Sequence, residues 1–407
     1  MKARYKFRCY PTPSQKLALA KLFGCVRVVW NDALAFCVSQ YKGGNKKPKN
    51  SSLQKQFLTQ AKKNSERVWL SEVSAIPLQQ SLNDLEQAYK NFFSSCQGKR
   101  KGKLVKPPKF KKRKSKQSAR FTRLGFSIKG EKVYLAKIGN LNVVWSRELP
   151  LSPSSVTVLQ DSADRYFLSF VVEIPPEILP YSDSSVGIDL GITTFATFSN
   201  GQKIKAPKPL KKRLKKLRKI SKKLSKKTRG YKRYERARKA LAKLHAKFSD
   251  TRTDFLHKLS TQIIRENQTI VLEDLNVSGL IKNRKLSRAI SDLGWRKFRT
   301  FLEAKSEKYG RDFRVIAQWE PTSKTCSCCG LKVAKLDLSI REWICLNCGI
   351  SDDRDQNAAV NILVAGGHLE TLTGRGGKHK TTAICSSSQR SVNPPAFQQL
   401  SIFDLLK

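Results

Sequence analysis

The chain has 407 residues, with 80 Lys plus Arg against 31 Asp plus Glu, a formal net charge of +49. Its 39% hydrophobic content is enough to bury real cores, which excludes a disordered basic tail. No apolar run approaches the ~20 residues that span a bilayer, and the opening MKARYKFRCYPTP has no signal-peptide core, so neither a membrane nor secretion is expected.

A compact duplex reader neutralises roughly 6–10 phosphates. A surplus of +49 suits a much longer polyanion, or more than one, and nucleic acid is the expected partner. Five of the ten cysteines fall between Cys326 and Cys348, while Cys9, Cys25, Cys37, Cys96 and Cys385 are scattered. That clustering points to a metal in a reducing cytosol rather than to a disulfide framework.

In chain order, Lys2, Arg4, Lys6 and Arg8 alternate with Ala3, Tyr5, Phe7 and Cys9, which predicts a strand with a basic outer face stopped by Pro11 and Pro13. Ser14 is expected to cap the helix that carries Leu17, Leu19, Leu22 and Phe23. The stretch 30–95 reads helical, with Leu78, Leu82, Leu85, Tyr89 and Phe92 on one apolar face. Gln79 and Asn83 lie off that face and are candidate nucleic-acid contacts, although a solvated polar face fits them equally well.

Residues 99–116 hold 11 Lys or Arg in 18 positions, Lys109, Lys111, Lys112 and Arg113 among them. Self-repulsion makes this a clamp expected to order only on an anion. From 121 to 174 the period becomes two, with Phe126–Ile128 and Val133–Leu135 flanking a Lys129-Gly130 turn, then Leu141–Trp145, Val156–Leu159 and Tyr166–Ile174. A small antiparallel barrel is expected, with the N-terminal strand paired into it and the helices inserted; Thr122 at its start is a further candidate contact.

Pro175, Pro176 and Pro180 mark a boundary, followed by the apolar strand Val186–Asp189 and the run Phe195–Phe198. Residues 203–247 contain 22 Lys or Arg and one acid, Glu235. Leu210, Leu214, Leu217 and Leu224 keep a helical stripe and Gly230 interrupts it, so two long helices in a hairpin are expected, the second running through Phe255, Leu259 and Ile263. Lys211, Lys212, Lys215 and Lys216 would face nucleic-acid backbones. The Gly-, Ser- and Lys-rich tail, 367–407, is expected to be disordered.

Cys326-Ser-Cys-Cys329-Gly330 and Cys345-Leu-Asn-Cys348-Gly349 are two Cys-x-x-Cys pairs 15 residues apart. Four thiolates suit tetrahedral Zn²⁺, and two such knuckles make a zinc ribbon. Pairing Cys326 with Cys329 puts a glycine after the second cysteine of each knuckle and leaves Cys328 spare. With four protein ligands the one zinc is structural.

Asp189 ends the strand Val186–Asp189 between glycines, a placement common in purely structural corners. Glu273 and Asp274 end a second apolar strand, 269–274, and Asp352, Asp353 and Asp355 open a helix whose Ala358 and Ala359 allow close packing. Acids at element ends in so basic a chain suggest a hydrolytic centre, because phosphodiester hydrolysis through two Mg²⁺ ions needs converging carboxylates.

Strand–Asp, basic helical hairpin, strand–Glu, Cys₄ ribbon and Asp-x-Asn-Ala-Ala helix, in that order, resemble the RuvC-type, RNase H-like nuclease of the TnpB family, transposon-encoded RNA-guided endonucleases related to type V CRISPR effectors. The resemblance covers about residues 1–365, including Trp69-Leu70, the Leu78–Phe93 helix, Lys106-Pro-Pro-Lys-Phe-Lys-Lys-Arg113, Asp254-Phe-Leu-His257, Gly294-Trp295 and Pro321-Thr-Ser323. Lys324 departs from the usual Gln. The resemblance implies a multidomain α+β chain: a wedge-like β-barrel (1–30 and 119–180) with a helical recognition insertion (31–118), then a RuvC-like α/β nuclease domain (181–320 and 351–366) interrupted by the zinc ribbon (321–350). It implies Asp189, Glu273 and Asp355 as the catalytic triad holding Mg²⁺ or Mn²⁺, with Asp353 a weaker rival for the third place. It also implies a noncoding guide RNA from the transposon end, a short adjacent motif on target duplex DNA, cleavage by a single RuvC site, one protein chain per RNA, and a cytoplasmic, nucleoid-associated location. Guide pairing would read sequence while the protein holds backbones. A DNA transposase, a non-cleaving RNA-guided repressor and a structural RNA-binding protein are the other readings, and retention of all three acids argues against the last two.

Overall fold

The computed structural model describes residues 1–367, apart from positions 101, 103, 114, 319, 335, 338 and 339. The expected disordered tail therefore lies outside the described residues, Gly367 excepted. The alternating N-terminal segment is strand β1 (Lys2–Cys9), which buries Phe7 and Cys9. Helix α1 (Pro13–Lys42) starts earlier than the expected Ser14 cap: Thr12 Oγ1 accepts from Gln15 N at 3.3 Å, and Gln15 Oε1 accepts from Thr12 N at 3.0 Å. Pro13 begins the helix because the first turn needs no donor from it. By length and composition α1 could cross a bilayer, which corrects the expectation that no segment could, but its apolar side is packed into the first core.

A short helix, α2 (Asn50–Gln54), precedes α3 (Ala75–Cys96), which buries the expected Leu78, Leu82, Leu85 and Tyr89. Strands β2 (Gln117–Thr122), β3 (Phe126–Lys129), β4 (Lys132–Leu135), β5 (Gly139–Val144), β6 (Ser155–Gln160) and β7 (Tyr166–Glu173) join β1 in one sheet of order β2-β6-β7-β1-β5-β4-β3. Every pairing is antiparallel, and β1 lies in the middle, from Lys2↔Glu173 to Cys9↔Tyr166. The helices build no core of their own. Leu22, Val26, Leu78 and Leu82 share one apolar cluster with Phe121, Val158 and Phe170 of the sheet.

The second sheet has the order β10-β9-β8-β11-β12. Strands β8 (Ser185–Asp189), β9 (Ala196–Phe198) and β10 (Lys203–Ile204) are antiparallel neighbours, whereas β11 (Thr269–Glu273) and β12 (Asp312–Ile316) run parallel to β8. Between β10 and β11 lies the basic hairpin, whose first arm is shorter than expected. It is split into α4 (Pro209–Lys212) and α5 (Leu214–Ser225), and α6 (Lys232–Glu266) follows. Gly230, at φ +98°, makes the turn. Helices α7 (Val277–Leu280), α8 (Ser287–Leu293) and α9 (Trp295–Tyr309) come before β12. The hairpin of β13 (Glu342–Ile344) and β14 (Ser351–Asp353) leads into α10 (Arg354–Ala365).

β11 is buried on both faces, so it reads as a continuous apolar run. Ile270 and Leu272 meet Leu256, Ile263, Phe298 and Leu302 of α6 and α9, while Val271 meets Ile362 and Leu363 of α10 on the other face. α10 comes so close because β8 carries a glycine: a Cβ on Gly187 would stand 2.1 Å from the Ala359 carbonyl oxygen and 2.7 Å from Leu363 N.

Candidate functional site

Three carboxylates arrive by three routes. Asp189 is the last residue of β8, and Glu273 is the last residue of β11. The parallel register pairs Ile188 with Leu272, so the two acids end neighbouring strands side by side. Asp355 comes from the first turn of α10, seated against β8 over Gly187. Burial, then the charges of Asp355 and Glu273, push the Asp189 carboxyl up to about 7, against some relief from Arg354. Burial and Asp274 raise Glu273 as well.

The neighbouring acids are occupied differently. Asp353 caps α10, accepting from Gln356 N at 3.0 Å, and pairs with Lys203 Nζ at 2.7 Å. Burial opposes its ionisation, yet these partners hold its carboxyl below the ordinary range. Asp274 is ion-paired with Arg299, which also holds Glu303 at 2.9 Å. Asp355 meets Arg341 at 3.3 Å, and Arg354 donates to the Asp337 carbonyl at 2.7 Å. Sequence reasoning passed over Arg341, Arg354, Lys203 and Arg299. Arg354, next to Asp355 in the chain, carried a usable signal, whereas Arg341 stands 14 residues away and meets Asp355 only through the fold.

The four ribbon thiols also come together. The Sγ atoms of Cys326, Cys329, Cys345 and Cys348 all lie within 4.8 Å of one another. Gly330 N donates to the Cys326 carbonyl at 2.9 Å and Gly349 N to that of Cys345 at 2.8 Å. Both glycines have positive φ, +76° and +69°, where a side chain would be strained. Cys328 is exposed and outside the cluster.

The candidate nucleic-acid contacts divide by exposure. Lys211, Lys212, Lys215 and Lys216 are exposed on α4 and α5, and Gln79, Lys109, Lys112 and Arg113 are exposed as well. Asn83 accepts from Asn50 at 2.8 Å and from Gln54 at 3.3 Å, and Thr122 is half-buried at the end of β2. Lys111 turns inward, with Nζ 3.9 Å from the centre of the Trp30 ring, and burial lowers its pKa to about 8. Its backbone exchanges two hydrogen bonds with the Asn31 side chain, at 2.8 and 3.1 Å, and Trp30 Nε1 donates to the Lys109 carbonyl at 3.1 Å.

Residues 169–284 match the family described as "Probable transposase", and 295–362 match "Cas12f1-like, TNB domain". Residues 1–46 match a "Helix-turn-helix domain", although here they form a strand and one unbroken helix. A Streptomyces pristinaespiralis protein named "Putative RNA-guided DNA endonuclease" is 44% identical over 90% of each chain. An Escherichia coli (strain K12) relative with the same description, InsQ, is 30% identical over 89% of this chain and 92% of its own. The solved structure of the mini-RNA-guided endonuclease CRISPR-Cas phi3 shares the fold, with TM-score 0.50 at 10% identity over 90% of this chain and 92% of that one. On the strength of these relatives, the chain belongs to the TnpB family.

Proposed function

We propose that the protein is the RNA-guided DNA endonuclease of a transposon. In this reading it binds a noncoding guide RNA from the transposon end, finds a short motif on duplex DNA, and cuts the guide-matched DNA with one RuvC-type active site. The observation that carries the proposal is the convergence of Asp189, Glu273 and Asp355 from β8, β11 and α10, strong enough to drive the Asp189 carboxyl to about 7 in an otherwise cationic protein. Acidic oxygen donors whose like charge Arg354 and Arg341 only partly offset fit a hard divalent cation, Mg²⁺ or Mn²⁺. Such ions supply an activated water and neutralise charge on the phosphate.

The chain's own residues do the rest. Asp189, Glu273 and Asp355 would hold the cations, for which Asp189 would have to be ionised. Asp353, as helix cap and partner of Lys203, sets the direction from which α10 presents Asp355. The four ribbon thiols would hold one structural Zn²⁺. We assign 1–30 with 119–180 as a wedge-like barrel, 31–118 as a recognition insertion, 321–350 as the ribbon, and 181–320 with 351–366 as the RuvC-like nuclease. One chain per RNA, associated with the nucleoid, completes the proposal.

The test is to sequence the RNA that copurifies with the protein, then measure cutting by Asp189→Ala, Glu273→Ala and Asp355→Ala. Each change is expected to abolish cutting while leaving guide-dependent DNA binding largely intact, since it removes only transition-state stabilisation. Asp353→Ala should retain more activity than Asp355→Ala; the reverse order moves the third ligand. Wild-type cutting by Asp189→Ala would leave a binding-only role as the leading reading.

A further inference from the structure

The side-chain amide of Asn357, on the first turn of α10, is buried and spends both ends on the first cysteine knuckle. Its Oδ1 accepts from Ser327 N at 2.7 Å, and its Nδ2 donates to the Thr325 carbonyl at 2.7 Å. Between those residues stands Cys326, whose own N–H donates to the Leu331 carbonyl and whose carbonyl accepts from Gly330 N. One side chain therefore grips the backbone on either side of a thiol in the Cys₄ cluster. One turn further along α10, Asn361 Nδ2 donates to the Thr322 and Thr325 carbonyls at 2.7 and 2.6 Å. The middle of α10 is held by the sheet, where Ala359 and Leu363 lie against Gly187. Its first turn, which bears Asp355, is tied to the ribbon by Asn357 and Arg354 and to the sheet by Asp353 with Lys203.

A small Cys₄ knuckle draws its folding energy from the metal, so its backbone path depends on zinc. We propose that Asn357 is a positioning residue through which zinc in the ribbon sets the place of Asp355, so that the four thiols and the three acids bind their ions cooperatively. With zinc present, the Thr325–Ser327 backbone has one path, and the amide that grips it fixes the helix two residues beyond Asp355. With zinc gone, that path loosens and Asn357 loses both partners, while the tie through Asp353 and Lys203 remains. The acids are then weakened as a metal site rather than abolished. Such coupling is reciprocal: the factor that zinc adds to Mn²⁺ affinity is the factor that Mn²⁺ adds to zinc affinity. The inference rests on the zinc and nuclease readings and extends the part of zinc from holding the ribbon together to shaping the acid set.

The experiment titrates Mn²⁺ into the full chain without guide, so that neither RNA nor cutting enters, and follows free Mn²⁺ by electron paramagnetic resonance. Protein loaded with one equivalent of zinc is compared with protein dialysed free of zinc and chelator. The zinc-loaded parent is expected to bind Mn²⁺ about tenfold more tightly than the zinc-free parent, the scale on which partners behind a metal ligand act. Asp355→Ala should remove that difference. Zinc-loaded Asn357→Ala should bind Mn²⁺ about as weakly as the zinc-free parent. Equal Mn²⁺ affinity with and without zinc overturns the proposal, and that comparison needs no variant. So does an Asn357→Ala protein that melts lower yet binds Mn²⁺ like its parent, as an amide that only fastens the ribbon would produce. Zinc-loaded protein that takes up no Mn²⁺ would instead count against the three acids as a metal site, and protein that takes up no zinc against the ribbon, so these failures can be told apart.

Discussion

An aspartate in water releases its proton near pH 4, but desolvation, then the charges of Asp355 and Glu273, push the Asp189 carboxyl up to about 7. The unfolded chain ionises this group first, so stability of the magnesium-free protein should fall as pH rises from roughly 4 to 7 and level off above. Asp189→Asn removes the titration. In zinc-loaded, magnesium-free buffer at pH 8 its melting temperature should exceed the parent's, and the gap should narrow toward pH 4. Equal melting at pH 8 would mean that the three acids do not crowd one another. The acids themselves were legible in the sequence, since each begins or ends an element in a chain with few acids. The partners that separate them were not. Asp353 capping α10 and pairing with Lys203, or Asp274 held by Arg299, depends on which loops meet.

At the scale of elements, the contact between β8 and α10 brings Asp355 to Asp189, and Gly187 is what permits it. Adding one methyl there strikes backbone atoms of α10, which cannot swing aside as a side-chain tip would. Gly187→Ala should therefore cost at least about 1–3 kcal/mol, the usual scale of overpacking, and should abolish cutting with all three acids intact. Denaturant unfolding and a cleavage assay check both effects. Gly24→Ala in α1, where nothing lies within 4 Å of the added methyl, serves as the control: it should raise stability by up to about 1 kcal/mol, since alanine suits a helix interior better, and leave cutting unchanged. Periodicity located β1, β4 to β7, β8, β11 and the α3 stripe, because each buries one face or lies wholly inside, and β3 followed from its place before the Lys129-Gly130 turn. It misjudged the start of α1, where Pro13 looks like a stop and acts as a first residue. It also overextended the first arm of the basic hairpin, whose break at Arg213 carries no glycine or proline signal.

Across the whole molecule the excess charge is concentrated on exposed side chains, with Lys211, Lys212, Lys215 and Lys216 grouped at the start of the hairpin. Each phosphate they neutralise contributes about 0.7–0.9 to the slope of log affinity against log salt. Replacing all four by Gln should flatten the slope for guide RNA or target by roughly 3 if each contacts a phosphate. An unchanged slope would return α4 and α5 to the role of a solvated face. The order of parts along the chain has a consequence in time. The basic outer face of β1, the 104–113 segment and the hairpin all precede α10, which bears Asp355. A ribosome releases the chain from its N-terminus, so the gripping surface is made before the acid set is complete. A polypeptide cut short before residue 355 would keep those basic surfaces while lacking the third of the acids proposed to cut. Any cell making both forms would contain, beside its nuclease, a built-in competitor for the guide.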